Sequence, residues 1–414
     1  MFASMLRNPR IRHLTTALGI ALVFGLGYTF GMSRTTAAQE SERTRLSPEA
    51  QAAFAPVYEV FNLIQDRYID PVDTTLLIDG AADGMIEALG DRYSAYMDPA
   101  SYPLLASDLE NEFEGIGVVI TTNPDTEAIE IVGLLDDAPA GKAGLLPGDV
   151  FVAVDGEPIE TWDQVEFATR VRGPAGTPVE LTVQRGDEIL DFTVIRERII
   201  QPNVETELLA DGQLAYLRLF TFTDEARDDF YAALETLNVN ERQGLIIDVR
   251  DNPGGILTSA IDITSAFVRE GVIVREDFGE GETVDFTATG RFVGIDVPIV
   301  VLINESSASA SEILAGALQD FGAATLIGET TLGKGTVQLW EPLGNDGGLR
   351  LTIARWLTPN GRWIQDQGIT PDILIEFTPE VYNDPADPQL DAAVAYLQGE
   401  PVESTILREG ALTP

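Results

Sequence analysis

The chain has 414 residues and a hydrophobic fraction of 44%, enough for two or three domains with buried cores. It contains no cysteine and a single histidine, His13. Disulfides, thiolate nucleophiles, cysteine or two-histidine zinc sites, and a Ser-His-Asp triad in the folded domains are therefore excluded, and we expect neither a metal nor a cofactor. The net charge of −41 argues against nucleic acid or anionic lipid as a partner.

The first predicted element is a membrane segment. Residues 14–32 form an uncharged, mostly apolar run of 19 residues, close to the roughly 20 that a helix needs to cross a bilayer. Arginines precede this run, which favours a cytoplasmic N-terminus and export of the remaining chain. An uncleaved anchor is favoured over a signal peptide cleaved near Ala37-Ala38, and residues 1–38 are assigned to this anchor or signal.

A linker and two helices are predicted for residues 39–104. In the first helix, apolar residues recur at spacings of three and four, which gives one apolar face. Pro56 marks either a kink or the true start of that helix. A second helix is expected over 76–89, closed by Gly90, so that residues 48–97 are mainly helical. Such a helix pair is typical of a packing or dimer element, and we expect a homodimer or higher oligomer.

Residues 105–199 change to short alternating segments that are separated by turn signals. One helix interrupts them. This pattern is typical of a small, partly open β-barrel or sandwich. The predicted strands are 117–122, 129–132, 149–154, 179–184 and 190–194, and the predicted helix is 162–171.

The same region resembles a PDZ domain of the bacterial subclass. Residues 113–117 read FEGIG, and the short motifs APA, AGL, GD and VDG follow within 138–156. The resemblance implies that backbone N–H groups of this loop bind the carboxylate of a C-terminal tail, which adds to a sheet edge. The peptide-binding residues implied are Phe113, Gly115, Ile116 and Gly117. A β module that only packs is the alternative.

From residue 200 the pattern becomes α/β, because strands alternate with helices. Such alternation implies a mixed or parallel sheet with helices packed over it. Residues 200–380 are assigned to one core domain, and 381–414 to a tail with a helix over 388–397. The predicted core strands are 214–220, 244–250, 299–303, 336–340 and 349–354, and the predicted helices are 224–237, one from 256 onward, and one ending at 319.

Four serines lie where the strand 299–303 gives way to a helix: Ser306, Ser307, Ser309 and Ser311. A hydroxyl there lies in the positive field of the helix N-terminus, near free backbone N–H groups, which suits a nucleophile whose attack builds an oxyanion. Ser309 and Glu312 also fit a capping box, in which the hydroxyl is structural. Local sequence decides neither between these roles nor which serine acts.

Lysine is rare in this chain, since only Lys142 and Lys334 occur among 26 Lys+Arg. A serine nucleophile needs a base, and a desolvated lysine can lose its proton near neutral pH where arginine cannot. If the strand 336–340 extends back to Lys334, Gln338 shares its face and can orient its amine. A surface lysine and a solvent-facing glutamine are the alternatives.

The turn 252–255 (NPGG) follows a buried strand. Backbone amides without side chains in the way are what an oxyanion hole needs. A sharp connection between the strand and the next helix would explain the two glycines equally well. Local sequence therefore leaves both interpretations of this turn open.

Four ordered motifs in the core domain resemble those of the carboxyl-terminal processing, or tail-specific, proteases. With the PDZ-like region and the helical segment, the likeness extends over residues 47–397. It implies an α/β, crotonase-like protease core with an inserted PDZ β-domain and an N-terminal helical segment. The motifs are 247–255 (IDVRDNPGG), 307–312 (SASASE), 333–338 (GKGTVQ), and 358–362 (TPNGR) with 368–372 (GITPD).

The resemblance implies a serine endopeptidase with Ser309 as nucleophile, Lys334 as base and Gln338 as partner of the base. Together with the predicted N-terminal segment, it implies an enzyme on the exported, periplasmic side of a bacterial inner membrane, anchored there or secreted after cleavage, that cleaves exported proteins near their C-termini. The expected partners are protein substrates with exposed apolar C-terminal tails, the membrane and an activator protein. The alternative is a PDZ scaffold whose protease domain is inactive.

Two further roles are implied by the resemblance. Gly255 and Ala310 would supply the oxyanion N–H groups, with Gly254 a competitor for Gly255. Docking of a substrate tail on the PDZ domain would gate the active site. An arginine after the PDZ helix would relay that signal; Arg172 is the better match and Arg170 the alternative.

Overall fold

The computed structural model describes residues 47–103, 112–123, 126, 128–135, 137–160, 162, 164–200, 202–376 and 387–402. The predicted membrane segment, residues 14–32, lies outside them. Among the residues described, no helix is both long enough and apolar enough to span a membrane. The chain divides into two compact units, with the boundary after Ala81.

The first unit contains α1 (Pro48–Arg67) and the start of α2 (Thr74–Glu87). Ser47 caps α1, because its hydroxyl accepts a hydrogen bond of 3.1 Å from a backbone N–H in the first turn. Pro48 occupies that turn, where its missing N–H costs nothing, while Pro56 lies inside the helix. The helix therefore starts at Pro48 and not at Pro56. Every residue of α1 is described and none is buried.

The second unit begins with the last turns of α2 and a short strand, β1 (Ala95–Met97). This strand corrects the expectation that the segment is mainly helical up to residue 97. It pairs antiparallel with a strand far along the chain, with Ala95 opposite Arg350. Local sequence does not predict this pairing, because the two strands are far apart in the chain. It fixes the preceding turn, residues 91–94, against the core domain.

Residues 112–200 form a small antiparallel β domain, as predicted. Its main sheet contains the five predicted strands, and buried Ile129 and Ile131 alternate with partly exposed residues along one of them. A short helix and a separate strand pair, β2 with β9, were not predicted. The elements are β2 (Glu112–Gly115), β3 (Val118–Thr122), β4 (Ile129–Leu134), α3 (Pro139–Ala143), β5 (Val150–Val154), β6 (Glu157–Pro158), α4 (Gln164–Val171), β7 (Pro178–Arg185), β8 (Glu188–Ile195) and β9 (Glu197–Ile200).

The core domain is built on a six-stranded sheet. Its first two strands are antiparallel and the remaining neighbours are parallel. The two central strands are buried at every position, which is typical of a sheet covered on both faces. The strands, in spatial order, are β10 (Val204–Leu209), β11 (Leu214–Leu219), β12 (Gly244–Asp248), β15 (Ile299–Ile303), β16 (Thr325–Gly328) and β19 (Ile373–Leu374).

Helices cover both faces of this sheet. Ile247 and Val301 pack in one apolar cluster with the first three core helices, whereas Ile246 and Val300 pack with the last helix. Side chains of a strand alternate between faces, so neighbouring residues serve opposite layers. The predicted α/β layering is confirmed. The helices are α5 (Ala226–Leu237), α6 (Leu257–Thr264), α7 (Ala310–Asp320) and, on the other face, α8 (Pro388–Leu397).

A second sheet of the core domain has β1 as an edge strand. Its long central strand pairs with β1 and with two other strands. Buried Trp356 on this central strand joins the apolar cluster of the main sheet. A hairpin in this sheet was not predicted, because it is rich in acidic residues. The strands, besides β1, are β13 (Val272–Gly279), β14 (Glu282–Thr287), β17 (Thr336–Pro342) and β18 (Gly348–Leu357).

Candidate active site

Ser309 lies between β15 and α7, at the position predicted for it. It is the N-cap residue of α7, with φ of 54° and ψ of −111°, a conformation that residues other than glycine rarely adopt. Such a backbone costs about 1–3 kcal/mol and persists only where the surroundings impose it. A Cβ added to Gly254 would lie 2.8 Å from the Ser309 Cβ, so the two turns are in close contact. The junction holds Ser309 at the positive end of the helix.

The neighbouring serines are occupied by structural bonds. The hydroxyl of Ser307 donates to the carbonyl of Val249 at 2.8 Å, and that of Ser311 donates to the carbonyl of Asn252 at 2.9 Å. Both serines are fully buried, whereas Ser309 is partly exposed. These bonds attach the start of α7 to the turn after β12. They make Ser307 and Ser311 poor candidates for the nucleophile and leave the exposed Ser306 and the partly exposed Ser309 as the serines of this run that a substrate can reach.

The backbone N–H groups of the 252–255 turn and of the start of α7 differ in their partners. The N–H of Gly254 donates to the side-chain oxygen of Asn252 at 2.9 Å. In the described part of the chain, the N–H groups of Gly255 and Ala310 donate to no other protein group. A Cβ on Gly254 would lie 2.8 Å from the nitrogen of Ala310, so only glycine fits there. An N–H group that no protein acceptor occupies can bind an oxyanion, so Gly255 and Ala310 suit that role better than Gly254.

Glu312 joins Ser309 to the loop that carries Lys334. Its Oε2 accepts hydrogen bonds from the N–H groups of Ser309, at 2.8 Å, and of Lys334, at 2.9 Å. Its Oε1 accepts from the hydroxyl of Thr331, at 2.6 Å, and from the N–H of Gly333, at 2.7 Å. The backbones of Ser309 and Lys334 are therefore adjacent. The sequence predicted Glu312 only as part of a capping box, and its bonds to the loop were missed.

This carboxylate is fully buried. Burial raises the pKa of Glu312, and the four hydrogen bonds that it accepts oppose that rise. A charged acceptor strengthens each of those bonds relative to a neutral one. Glu312 therefore acts as a buried clamp between the helix start and the loop, and not only as a helix cap.

The loop around Lys334 runs directly against residues 365–368. A Cβ on Gly333 or on Gly335 would lie 2.8 Å from a backbone nitrogen of that segment. The carbonyl of Lys334 accepts a hydrogen bond of 2.8 Å from the indole N–H of Trp356. The two glycines therefore allow a tight backbone path, and the main chain of Lys334 is held on both sides.

The amine of Lys334 lies in partly buried surroundings. Its Nζ is 5.5 Å from the centre of the Tyr93 ring, a neighbour that the sequence did not indicate. Burial lowers the pKa of Lys334, and the positive charge of Arg350 lowers it further, whereas Glu312 acts in the opposite direction. A lowered pKa increases the fraction of neutral amine, the form that can accept a proton.

The side chain of Gln338 is hydrogen-bonded to residues other than Lys334. The strand β17 begins at Thr336, so it does not extend back to Lys334 and the shared-face argument fails. The amide of Gln338 donates to the hydroxyls of Thr336, at 2.9 Å, and Thr352, at 3.2 Å. Within the described residues, no hydrogen bond joins the Lys334 amine to Ser309 or to Gln338. The structure therefore links Ser309 to Lys334 through Glu312, whereas Gln338 is bonded to two threonines.

The predicted peptide-binding loop connects β2 to β3. Phe113 pairs with Ile199 through the backbone, and Gly115 ends the strand. Ile116 is buried, and Gly117 has a φ of 72°, where an added Cβ would lie 2.5 Å from a neighbouring Cβ. In the described part of the chain, the N–H groups of Ile116 and Gly117 donate to no protein acceptor. They are chemically suited to bind a carboxylate.

The two candidate relay arginines differ in their contacts: Arg170 lies in the last turn of α4, and Arg172 directly follows that helix. Arg172 is partly buried, and its N–H donates to a carbonyl of α4. Arg170 forms an ion pair of 3.1 Å with Glu157 and lies over the ring of Trp162, so its side chain is engaged within the β domain. A buried arginine that the sequence did not single out, Arg196, donates from Nε to the last carbonyl of α4 at 2.7 Å. It anchors the end of that helix.

Sequence comparison places these features in a known group. Family models described as Peptidase family S41, PDZ domain and Activating protease CtpB N-terminal domain match residues 213–375, 130–185 and 19–101. A carboxy-terminal-processing protease of Bartonella bacilliformis is 40% identical over 325 residues, which cover 77% of this chain and 74% of that protein. This chain belongs to the carboxy-terminal processing proteases of peptidase family S41.

A second relative and a solved structure support the same family and fold for this S41 protease. The carboxy-terminal processing protease CtpB of Bacillus subtilis is 35% identical over 348 residues, 82% of this chain and 70% of that protein. The structure of a photosystem II D1 C-terminal processing protease superimposes with a TM-score of 0.57 at 27% identity, covering 76% of this chain and 86% of the other. The α/β protease core with a PDZ domain and N-terminal helices is thus confirmed, and the protein is a serine peptidase.

Proposed function

We propose that this S41 protease cleaves proteins near their C-termini with Ser309 as nucleophile and Lys334 as general base. The observation that supports this proposal is the shared carboxylate of Glu312. It bonds the main-chain nitrogens of both residues, so the strained helix start and the lysine loop are held together. No histidine is available in the folded domains to act instead.

In this mechanism the neutral amine of Lys334 accepts the proton of the Ser309 hydroxyl as that oxygen attacks the scissile carbonyl. The N–H groups of Gly255 and Ala310 stabilise the resulting oxyanion. The protonated Lys334 then donates its proton to the leaving amine, and an acyl-enzyme remains. Water, deprotonated by the same lysine, releases the second product. Because the neutral amine is required, the rate rises with pH through the lowered pKa of Lys334.

Assembly of this base requires a change in side-chain contacts. The Nε2 of Gln338 is bonded to two threonine hydroxyls, and the Lys334 amine must approach the amide oxygen of Gln338 before that oxygen can accept a hydrogen bond from it. We propose that an apolar C-terminal tail, bound at the N–H groups of Ile116 and Gly117, favours this approach. Arg172, the better match to the resemblance, is the proposed relay between the PDZ domain and the protease core, and Arg170 is the alternative.

We also propose that residues 14–32 anchor the enzyme in a bacterial inner membrane with the protease on the periplasmic side. The apolar run and the arginines before it support this placement. Helix α1 exposes Val57, Val60 and Leu63, an apolar face suited to a second copy of the chain in a homodimer or higher oligomer. An activator protein remains a further proposed partner.

Labelling with a fluorophosphonate probe tests the central proposal. Wild type should label, Ser309→Ala should not, and a peptide with an apolar C-terminus should increase the wild-type signal. Labelling that persists in Ser309→Ala would contradict the assignment of the nucleophile. Absence of labelling in wild type, with and without the peptide, would favour the alternative of a PDZ scaffold with an inactive protease domain.

A further inference from the structure

The turn of residues 91–94, which we call the Asp91 turn, lies against the Lys334 amine. The ring of Tyr93 faces Nζ at 5.5 Å, and the carbonyl of Tyr93 accepts a hydrogen bond of 2.8 Å from Nε of Arg350. One residue of the turn therefore contacts both Lys334 and a second cation. Neither Tyr93 nor Arg350 lies in the four motifs that indicated the catalytic residues.

The Asp91 turn is itself held in place by hydrogen bonds. The carboxylate of Asp91 accepts from the N–H of Tyr93, at 3.1 Å, and from the hydroxyl of Ser94, at 2.6 Å. The Ser94 oxygen in turn accepts from the N–H of Thr352 at 3.0 Å. Ser94 is buried. Because Thr352 and Arg350 belong to the same strand, β18, the turn and the arginine form one rigid group.

Arg350 is a partly buried cation beside the Asp91 turn. Among the described residues, it forms no salt bridge; its Nε is bonded to a carbonyl, and its guanidinium lies 5.6 Å from the ring of Trp340. Burial lowers the pKa of Arg350 and Asp91 opposes that change. An arginine keeps its proton near neutral pH even so. A partly buried charge that forms no salt bridge is unfavourable for stability, which points to a role at the neighbouring site.

We propose that Arg350 is a positioning residue of the active site: its fixed charge, oriented by the Asp91 turn, keeps the Lys334 amine neutral and able to accept the Ser309 proton. This inference rests on the proposed role of Lys334 as base. The charged and titratable groups around Lys334 are Glu312 of α7, Arg350 of β18, Asp91, Arg92 and Tyr93 of the Asp91 turn, and Asp366 after β18.

Burial is the larger cause that lowers the pKa of Lys334, and the charges around the amine add to it or oppose it. Arg92 and Asp366 form an exposed ion pair with each other, so their charges largely cancel. The carboxylate of Glu312 attracts a protonated amine, but it is already shared among four hydrogen-bond donors. The charge of Arg350 adds to burial in disfavouring the ammonium form. Removal of that charge should therefore return Lys334 toward an ordinary lysine.

Lysine NMR measures this effect directly. The chain has two lysines, so a full-length protein made with ¹³Cε-lysine should give two lysine signals, which Lys142→Arg assigns. Lys142, exposed and paired with Glu197, is an internal reference. In Arg350→Gln the titration midpoint of Lys334 should rise by about one pH unit, while that of Lys142 stays constant. Arg350→Met, which keeps the aliphatic packing, provides the same test should the glutamine variant fail to fold.

Activity measurements give an independent readout. In Arg350→Gln the acid limb of the kcat/KM profile should move to higher pH by the same amount, a loss of about tenfold at a given pH on that limb. Arg350→Lys, which restores the charge, should recover most of the wild-type profile. A matched control is Arg275→Gln on the neighbouring strand β13, which removes the same charge from an exposed pair with Asp285. It should move neither profile nor midpoint.

The outcomes separate this inference from the proposed function. An unchanged Lys334 midpoint in both Arg350→Gln and Arg350→Met would overturn the role of Arg350, and an inactive Lys334→Arg would then leave the base assignment standing. An active Lys334→Arg would overturn the base itself. An equal shift in Arg275→Gln would show a general charge effect and would also contradict the proposal.

Discussion

Two clusters of buried charge in the core domain differ in how their cations are paired. In the first, which we call the Arg250 cluster, the guanidinium of Arg250 bonds to the carboxylates of Asp248, at 2.6 Å, and Asp387, at 2.8 Å. Burial alone would lower the pKa of Arg250, but the two carboxylates outweigh burial and raise it. This cation is permanently charged, and it ties the start of α8 to the end of β12.

The second, which we call the Lys334 cluster, contains Glu312, Lys334, Tyr93 and Arg350. Here two partly buried cations lie near each other, and neither forms a salt bridge among the described residues. The pKa of Lys334 falls as a result of burial and of the Arg350 charge. The comparison indicates that full pairing fixes a charge for structure, whereas incomplete pairing leaves a group able to titrate and therefore to transfer protons.

The largest effect is expected for Lys334→Arg, which replaces a titratable cation by a permanent one. The substitution should lower kcat/KM by about 1,000-fold or more, because general-base catalysis is lost. The fold should persist, since Lys334 is held through its main-chain N–H and carbonyl. Peptide hydrolysis and thermal unfolding measure the two effects. Lys142→Arg is the control, and substantial activity in Lys334→Arg would refute the base.

Arg250→Gln should produce the opposite result, a loss of stability. It leaves the fully buried Asp248 and the partly buried Asp387 without their cation, which should cost about 3–5 kcal/mol in the free energy of unfolding of the core domain. Urea unfolding followed by tryptophan fluorescence measures this. Arg275→Gln, at an exposed pair, should change stability too little to resolve. Equal effects of the two substitutions would contradict the distinction drawn between the clusters.

The parts of the protein that were predictable from sequence are those set by local pattern. The strands β12 and β15 are apolar runs bounded by turns, and the helix α8 was predicted with its observed ends. Ser309 and Lys334 were indicated by their motifs and by the absence of an alternative base. Each of these inferences uses residues that are close together in the chain.

The parts that could not be predicted depend on distant pairing. Tyr93 and Arg350 meet because β1 pairs with β18, a contact that no local pattern encodes. The position of Gln338 depends on where β17 begins and on a register shift between residues 337 and 338, which its pairing with β18 determines. Glu312 was recognised as a cap, but its bonds to the lysine loop arise only in the folded chain.

A smaller effect is expected for Glu312→Gln. One acceptor oxygen is replaced by a donor that faces backbone N–H groups, so the link between Ser309 and Lys334 is weakened. We expect kcat to fall by about 10- to 100-fold, with little change in KM because the substrate contacts are not altered. Steady-state kinetics on a peptide measure both. A rise in KM by the same factor, with kcat unchanged, would show that Glu312 does not position the reacting residues.

The smallest effect is on the pH dependence of the free energy of unfolding. Asp387 of the Arg250 cluster and Glu312 of the Lys334 cluster should contribute to it with opposite signs. Burial alone would raise the pKa of Asp387, but its bonds to Arg250 outweigh burial and lower the pKa below its ordinary value of 3.8. Its contribution to stability is therefore present above pH 3.8 and is lost as the pH falls through the lower folded value. Burial raises the pKa of Glu312 above 4.5, so its contribution is present below pH 4.5 and is lost as the pH rises through the higher folded value.

Thermal unfolding from pH 7 to pH 3 of wild type, Asp387→Asn and Glu312→Gln separates these signs. Asp387→Asn should be less stable than wild type by about 1 kcal/mol at pH 7, and the gap should narrow on acidification as wild type loses the charge that Arg250 binds. On the same acidification wild type should gain stability relative to Glu312→Gln, because protonation removes a buried charge that the glutamine never carries. If wild type lost stability relative to both variants, or gained it relative to both, the two clusters would not differ in the way their bonding implies.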